Sequence, residues 1–318
     1  MPVLGIDTSC YTTSTAIVEG DALLADARAL LAVPEGGRGL RQSEALFQHV
    51  QNLPRLIESL GLGGRRLEAV AVSARPRPRE GSYMPVFTAG MAVAGSIASA
   101  LSLPLVETSH QEGHIAAGCF SLGIWPANPF LAFHISGGTT ELLRAEPAGA
   151  VFAAELLGGT KDLHAGQVVD RVGVALGLGF PAGPALESLA CGYAGKPGAL
   201  PLKAHVSGMD CSLSGAESAA QRCVAAGGDR AAVAFEIQRC LADAFVKMAL
   251  AAVDATGLRQ LLVIGGVASN EYIRARFIDA LESKGVEVLF ARRPFSSDNA
   301  VGVAAIGQRN LSGGTPDA

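Results

Sequence analysis

The sequence predicts a layered α/β protein made of two packed units on one repeated plan, and three observations carry that prediction. Its 318 residues exceed what a single ordinary core encloses. Hydrophobic residues make up 49% of the chain and charged ones 17%, a balance that excludes disorder and asks for elements buried on more than one side. A strand, turn and strand pattern also occurs twice, which points to an internal duplication.

The first copy runs Val3-Leu4-Gly5-Ile6-Asp7 as a strand, Thr8-Ser9-Cys10-Tyr11-Thr12-Thr13 as a small-residue turn, and Ala16-Ile17-Val18 as a second strand. The second runs Phe130 to Ile135, then Ser136-Gly137-Gly138-Thr139-Thr140, then Leu142-Leu143. Each half has a later strand ending in a turn. Ala69-Val70-Ala71-Val72 enters Ser73-Ala74-Arg75-Pro76, and Leu261-Leu262-Val263-Ile264 enters Gly265-Gly266-Val267-Ala268-Ser269-Asn270, followed by a helix from Tyr272 to Phe277. Ala234, Phe235, Ile237, Leu241, Phe245 and Met248 recur at three- and four-residue intervals, the stripe of a helix facing a core. The uncharged stretch from Val86 to Val106 approaches membrane-spanning length. It is built of Ala, Gly and Ser and carries Pro104, so it predicts a helix buried between neighbours, with no membrane association.

A formal net charge of -4 excludes the overall basic field of a stand-alone nucleic-acid binder, so any RNA contact has to come from a local patch or a partner. The six cysteines include no close C-x-x-C pair, and no basic segment followed by an apolar core opens the sequence. Both point to reduced thiols and a cytoplasmic location.

Turns of small residues let backbone N–H groups approach phosphate oxygens, and two lobes with such turns facing one another would form a nucleotide cleft. A tight strand connection explains any one of them equally well. In Ser109-His110-Gln111-Glu112-Gly113-His114 the two histidines stand four apart, on one helical face, where they can bind one metal ion. The spacing suits a solvent-facing or capped pair too. It is not the zinc-peptidase motif, which needs its glutamate directly after the first histidine. Asp298 is a candidate third ligand, or simply the cap of the apolar helix from Val301 to Ala305. Asp162 to Arg171 reads as the polar face of an exposed helix.

Taken in order, these motifs resemble the TsaD family, the threonylcarbamoyl-transferring branch of the actin-like ATPases, over nearly the whole chain. Gly5-Ile6-Asp7-Thr8-Ser9-Cys10 is similar to the family's opening, and His110 and His114 match its metal histidines. Ser136-Gly137-Gly138, the helix Gly158 to Asp170, Phe180-Pro181-Ala182-Gly183-Pro184, Ser212-Leu213-Ser214-Gly215, Gly265 to Asn270 and Ser297-Asp298-Asn299 match later family segments. The resemblance implies a two-lobed fold of the sugar-kinase, Hsp70 and actin type (ASKHA) with duplicated ribonuclease-H-like domains. The expected lobes are residues 1–125 and 126–297, the second with a helical insertion, and 298–318 packing back on the first.

It further implies one divalent ion (Fe2+, Zn2+ or Mg2+) held by His110, His114 and Asp298. ATP, ADP or threonylcarbamoyl-AMP would be contacted by Ser136, Gly137, Gly138, Gln167, Asp170, Gly183, Gly265, Gly266 and Asn270, and no side-chain nucleophile is required. The implied function is transfer of threonylcarbamoyl to N6 of a tRNA adenosine, with TsaB-like and TsaE-like partners. The sequence departs from the family at Tyr11-Thr12, where an Asp-Glu pair is usual, and at Gln167, where a glutamate is usual. Ala74-Arg75-Pro76-Arg77-Pro78-Arg79-Glu80 replaces a Gly-Pro-Gly turn, and His164 replaces a small residue. These departures leave open a divergent paralog that binds nucleotide and metal but serves another acceptor or acts as a non-catalytic subunit. A small-molecule kinase or ATPase on the same scaffold is a third reading, in which the histidine pair has no role.

Overall fold

Residues 1–9, 11–33, 40–62 and 64–313 are described by the structure, a computed structural model. Cys10 and the last five residues of the segment 298–318 lie outside the described residues. By contacts the chain divides into one unit of Met1–Asn128, Glu146–Ala154 and Pro294–Ala318, and a second of Pro129–Ala145 and Glu155–Arg293.

In the first unit β1 (Val3–Ser9) pairs antiparallel with β2 (Thr12–Glu19), and β2 with β3 (Ala22–Leu30). The ladder joins Thr8 to Thr13 and Ser9 to Thr12, so these hydroxyl residues, read above as a turn, belong to the strands. β-branched threonine fits a pleated, buried surface and extends the hairpin. After α1 (Gln42–Ser59), β4 (Ala69–Arg75) pairs parallel with β1; after α2 (Phe87–Leu101), β5 (Leu105–Ser109) pairs parallel with β4 and leads into α3 (His110–Leu122). The sheet order is β3-β2-β1-β4-β5.

The second five-stranded sheet repeats that order. Its strands are β6 (Phe130–Ile135), β7 (Thr140–Ala148), β8 (Val151–Gly159), β11 (Gln260–Ile264) and β12 (Glu287–Phe290), arranged β12-β11-β6-β7-β8 with β6 antiparallel to β7 and parallel to β11. The duplication expected from sequence is therefore a duplication of topology. Between β8 and β11 lie α4 (Ala165–Ala175), α5 (Gly183–Ala190), the short hairpin β9 (His205–Ser207) and β10 (Asp210–Ser212), α6 (Ser214–Ala225) and α7 (Arg230–Thr256). Helix α8 (Glu271–Glu282) precedes β12, and α9 (Arg293–Ser296) and α10 (Val301–Leu311) close the chain.

Both faces of β1 are covered, which explains its unbroken apolar run. Leu4 and Ile6 join Leu53, Val72, Ala89 and Ala94 on the α1 and α2 side, while Val3 joins Ala71 and Val303 on the other. Gly5 allows the approach of α10: a Cβ there would stand 2.5 Å from the Ala300 carbonyl oxygen. In the second unit Phe133 meets Phe245 and Phe277 edge-on, and the α7 stripe is buried except Phe235, which is half-buried and meets Tyr193 at a tilt and Tyr272 edge-on. Each such phenylalanine in the core contributes roughly 2–3 kcal/mol of hydrophobic stabilisation.

The uncharged stretch from Val86 forms α2, ended by Ser102 in the left-handed conformation, and continues into β5. Contrary to the sequence reading, α2 is not enclosed: Thr88, Ala92, Ser96 and Ser99 are exposed, and only its Phe87, Ala89, Gly90, Ala94 and Ala98 side is buried. Small residues serve close packing on one face here, not burial all round. Among the described residues no helix is long and apolar enough to cross a membrane.

Candidate functional site

Successive parallel strands bring chemistry to one end of the first unit. β5 stops at Ser109, whose hydroxyl accepts from the Glu112 backbone N–H while the Glu112 carboxylate accepts from the Ser109 N–H and the Thr108 hydroxyl. This reciprocal cap starts α3 at His110 and turns Glu112 away from the histidines. His114 follows one turn later on the same face, with its Nε2 3.0 Å from the Nε2 of His110. The Oδ1 of Asp298 lies 3.3 Å from His114 Nε2 and 3.7 Å from His110 Nε2.

Asp298 does not cap α10. Its neighbour Asn299 does that work, accepting from the Val301 N–H at 3.0 Å and donating to the carbonyls of Phe295 and Ser297. Arg28 on β3 donates to the Ser297 hydroxyl and the Asp298 carbonyl, fastening the loop from the other side. The Asp298 carboxylate is thereby left turned to the histidines. Ligands about 2.1 Å from a tetrahedral ion stand roughly 3.4 Å apart, so the three ligand atoms are spaced to fit one divalent cation without rearrangement.

Buried imidazoles ordinarily lose their proton, and burial does act downward on His110. It is outweighed by the charge and hydrogen bond of Asp7, whose Oδ2 lies 2.7 Å from His110 Nδ1, and by Asp298, so the His110 pKa is pushed up to about 9. Burial and the neighbouring His110 cation push His114 down instead. In the metal-free protein His110 is thus the protonated member of the pair, and an ion binding here must displace that proton.

A third buried histidine, His49 on α1, lies 2.8 Å through Nδ1 from the Thr13 hydroxyl. Burial, partly offset by Asp7 and the Ser9 backbone, lowers its pKa to about 4. The unfolded chain, with an ordinary histidine near 6.5, binds more protons between these values, so stability falls as pH drops from about 6.5 toward 4. The expected loss is about 3 kcal/mol at the lower limit. Urea unfolding at pH 7 and pH 4.5 checks this, with the acid-dependent loss expected to shrink in His49→Gln.

In the second unit, Ser136 donates its N–H to the Thr139 carbonyl and closes the turn between β6 and β7. Helix α4 begins directly against it. The Gly166 N–H donates to the Ser136 carbonyl, and a Cβ on Gly166 would stand 2.5 Å from the Gly137 Cα. Gly265, at φ 101°, packs against the end of β6 where a side chain would strike the Ile135 carbonyl. Gly137, Gly138 and Gly266 meet nothing within 4 Å on their Cβ side, so bare backbone faces open space there.

The other candidates of this unit have defined roles. Gln167 accepts the His164 N–H, and Asn270 accepts from Ile273 N–H to cap α8 while donating to Gln238. Asp170, its pKa raised by burial against the opposing hydrogen bond, accepts the Ala182 N–H and fastens the residue before Gly183. Asp162 lies outside α4. Instead of lining an exposed helix face it accepts from the N–H groups of Leu213 and Ser214 at the start of α6. Of the departing positions, Tyr11 is exposed and Thr12 is in β2, and Pro76 accepts the Gln111 N–H, seating the arginine-bearing loop on α3. Asp7, which meets His110, and Ser73, which donates to Asp7, belong to no ligand motif that the sequence shows. The one available signal was a carboxylate closing an otherwise apolar strand.

The chain matches the family model of TsaD, tRNA N6-adenosine threonylcarbamoyltransferase, over residues 32–305. The chain belongs to the TsaD family. Relatives carrying that name include one from Thermus thermophilus, 35% identical over 99% of this chain and 95% of the relative, and one from Symbiobacterium thermophilum, 33% identical over 96% and 90%. Among solved structures, HypF of T. kodakarensis superposes with a TM-score of 0.65 at 16% identity over 98% of this chain, which spans only 48% of that one. A ROK family glucokinase from Streptomyces griseus superposes with a TM-score of 0.53 at 13% identity, over 96% of this chain and 98% of the kinase. These likenesses establish the ASKHA-type fold of this TsaD family member and nothing finer.

Proposed function

We propose that this protein transfers threonylcarbamoyl from threonylcarbamoyl-adenylate to N6 of adenosine in tRNA, using one divalent ion at His110, His114 and Asp298. The reading is carried by the convergence of three ligand atoms within 4.8 Å of one another in a member of this family. The N6 amine attacks the mixed-anhydride carbonyl, the carbon–oxygen bond to phosphate breaks, AMP leaves, and N6 loses a proton. A bound ion would neutralise charge on the departing phosphate. The chain's own part is to hold that ion with two neutral imidazoles and a carboxylate and, in its second unit, to leave the backbone at Gly137, Gly138 and Gly266 bare for anionic oxygens. No side-chain nucleophile enters.

TsaB-like and TsaE-like proteins are the expected partners, and the setting is cytoplasmic. A second reading, a divergent paralog that binds nucleotide and metal without tRNA transfer, is favoured by Tyr11, Thr12 and Gln167, where carboxylates are replaced by groups that cannot take a proton. One assay separates the two. The purified protein, its partners, unmodified tRNA and the adenylate are incubated, and the tRNA nucleosides are analysed by mass spectrometry. Modified adenosine supports transfer; its absence, beside a working standard enzyme, sinks it. Retained ATP binding in that case points to the paralog.

A further inference from the structure

We propose that Asp7, supported by Ser73, is the positioning residue of the metal centre, holding His110 in the orientation and tautomer that aim its Nε2 lone pair at the ion. The inference rests on the metal reading of His110, His114 and Asp298. Asp7, Ser73 and His110 stand at the same end of the adjacent parallel strands β1, β4 and β5, the end where functional groups of such sheets gather. Asp7 is 1% exposed, and a carboxylate that deep is tolerated only when its oxygens are engaged. Both are. Oδ1 accepts from the Ser73 hydroxyl at 2.5 Å, and Oδ2 stands 2.7 Å from His110 Nδ1.

The two ring nitrogens of His110 point in opposite directions. Nε2 faces His114 and Asp298, and Nδ1 faces Asp7, so Asp7 cannot be a fourth ligand on the same side of the ring. What it can do is accept the Nδ1 proton, which leaves Nε2 as the coordinating atom and strengthens it as a donor. Ser73 in turn holds the carboxylate against rotation. Without Asp7 the ring is free to flip or to present the wrong tautomer.

Cobalt(II) is the probe, titrated into the full-length protein against a chromophoric chelator and followed by its visible d–d bands. Asp7→Asn is expected to weaken binding about 10–100-fold and to shift those bands. Ser73→Ala is expected to weaken it about fivefold, the equivalent of one ordinary hydrogen bond. Folding is checked by circular dichroism. A folded Asp7→Asn protein with native affinity and native bands overturns the proposal, and if that variant does not fold, native affinity in Ser73→Ala does so. A native protein that takes up no cobalt, or one indifferent to His110→Ala, overturns the metal reading itself, a failure distinct from indifference to Asp7 alone.

Discussion

His114→Ala is expected to weaken divalent-metal binding at least about 100-fold and to remove tRNA modification below detection while the protein remains folded. The reason is positional. His114 is 4% exposed, its Nε2 is the ligand atom nearest both of the others, and among the described residues the cluster contains no further His, Cys, Asp or Glu. Loss of one imidazole leaves a two-ligand site, and the cavity it opens in the first unit costs only about 1–3 kcal/mol. Asp298→Asn serves as the companion: it keeps the volume and loses the charge, so it should show the metal defect without the cavity. Equilibrium dialysis with zinc, read beside thermal unfolding and the tRNA assay, checks both. Native zinc content in His114→Ala would remove the metal centre from the mechanism.

Gly302→Ala carries the largest expected effect on stability. A Cβ there would lie 1.9 Å from the Gly113 carbonyl oxygen and 2.5 Å from the Ala117 nitrogen, both backbone atoms of α3 that have no rotamer to yield. Helices α3 and α10 must separate, and overpacking of this kind costs about 3 kcal/mol or more, a fall in Tm of at least roughly 4–5 °C for a chain of this size. The metal centre should suffer with it, because α3 bears both histidines and Asp298 precedes α10. Gly215→Ala on α6 is the control. Its Cβ meets nothing within 4 Å, and alanine there should be neutral or stabilising by less than about 1 kcal/mol. Differential scanning calorimetry of the two variants decides the matter; equal melting temperatures would show that the helices are not in the contact described.

Much of the architecture was legible because it is local. Val3 to Asp7 and Phe130 to Ile135 announce strands by their apolar runs, the α7 stripe announces a helix by its period, and the repeat of strand, turn and strand announces the duplication. What misled was chemistry with two meanings. Thr8, Ser9, Thr12 and Thr13 suit a turn and also the pleat of a buried hairpin, and only the pairing of β1 with β2 chose the pleat. An aspartate before an apolar helix reads as a cap, but Asn299 one place later took that role. Asp162 looked like part of a helix face because sequence spacing cannot show that α6 starts beside it.

The sequence by itself determined that His110 and His114 share a helical face, since four residues make about one turn whatever surrounds them. It likewise determined where backbone could lie bare, at Gly137, Gly138 and Gly266, because a missing side chain is a property of the residue alone. Only the tertiary structure decided that Asp298 meets the histidines and that Asp7 and Ser73 stand behind one of them. Those meetings depend on which strands pair and how closely α10 packs on α3, and no local preference of any single residue encodes them.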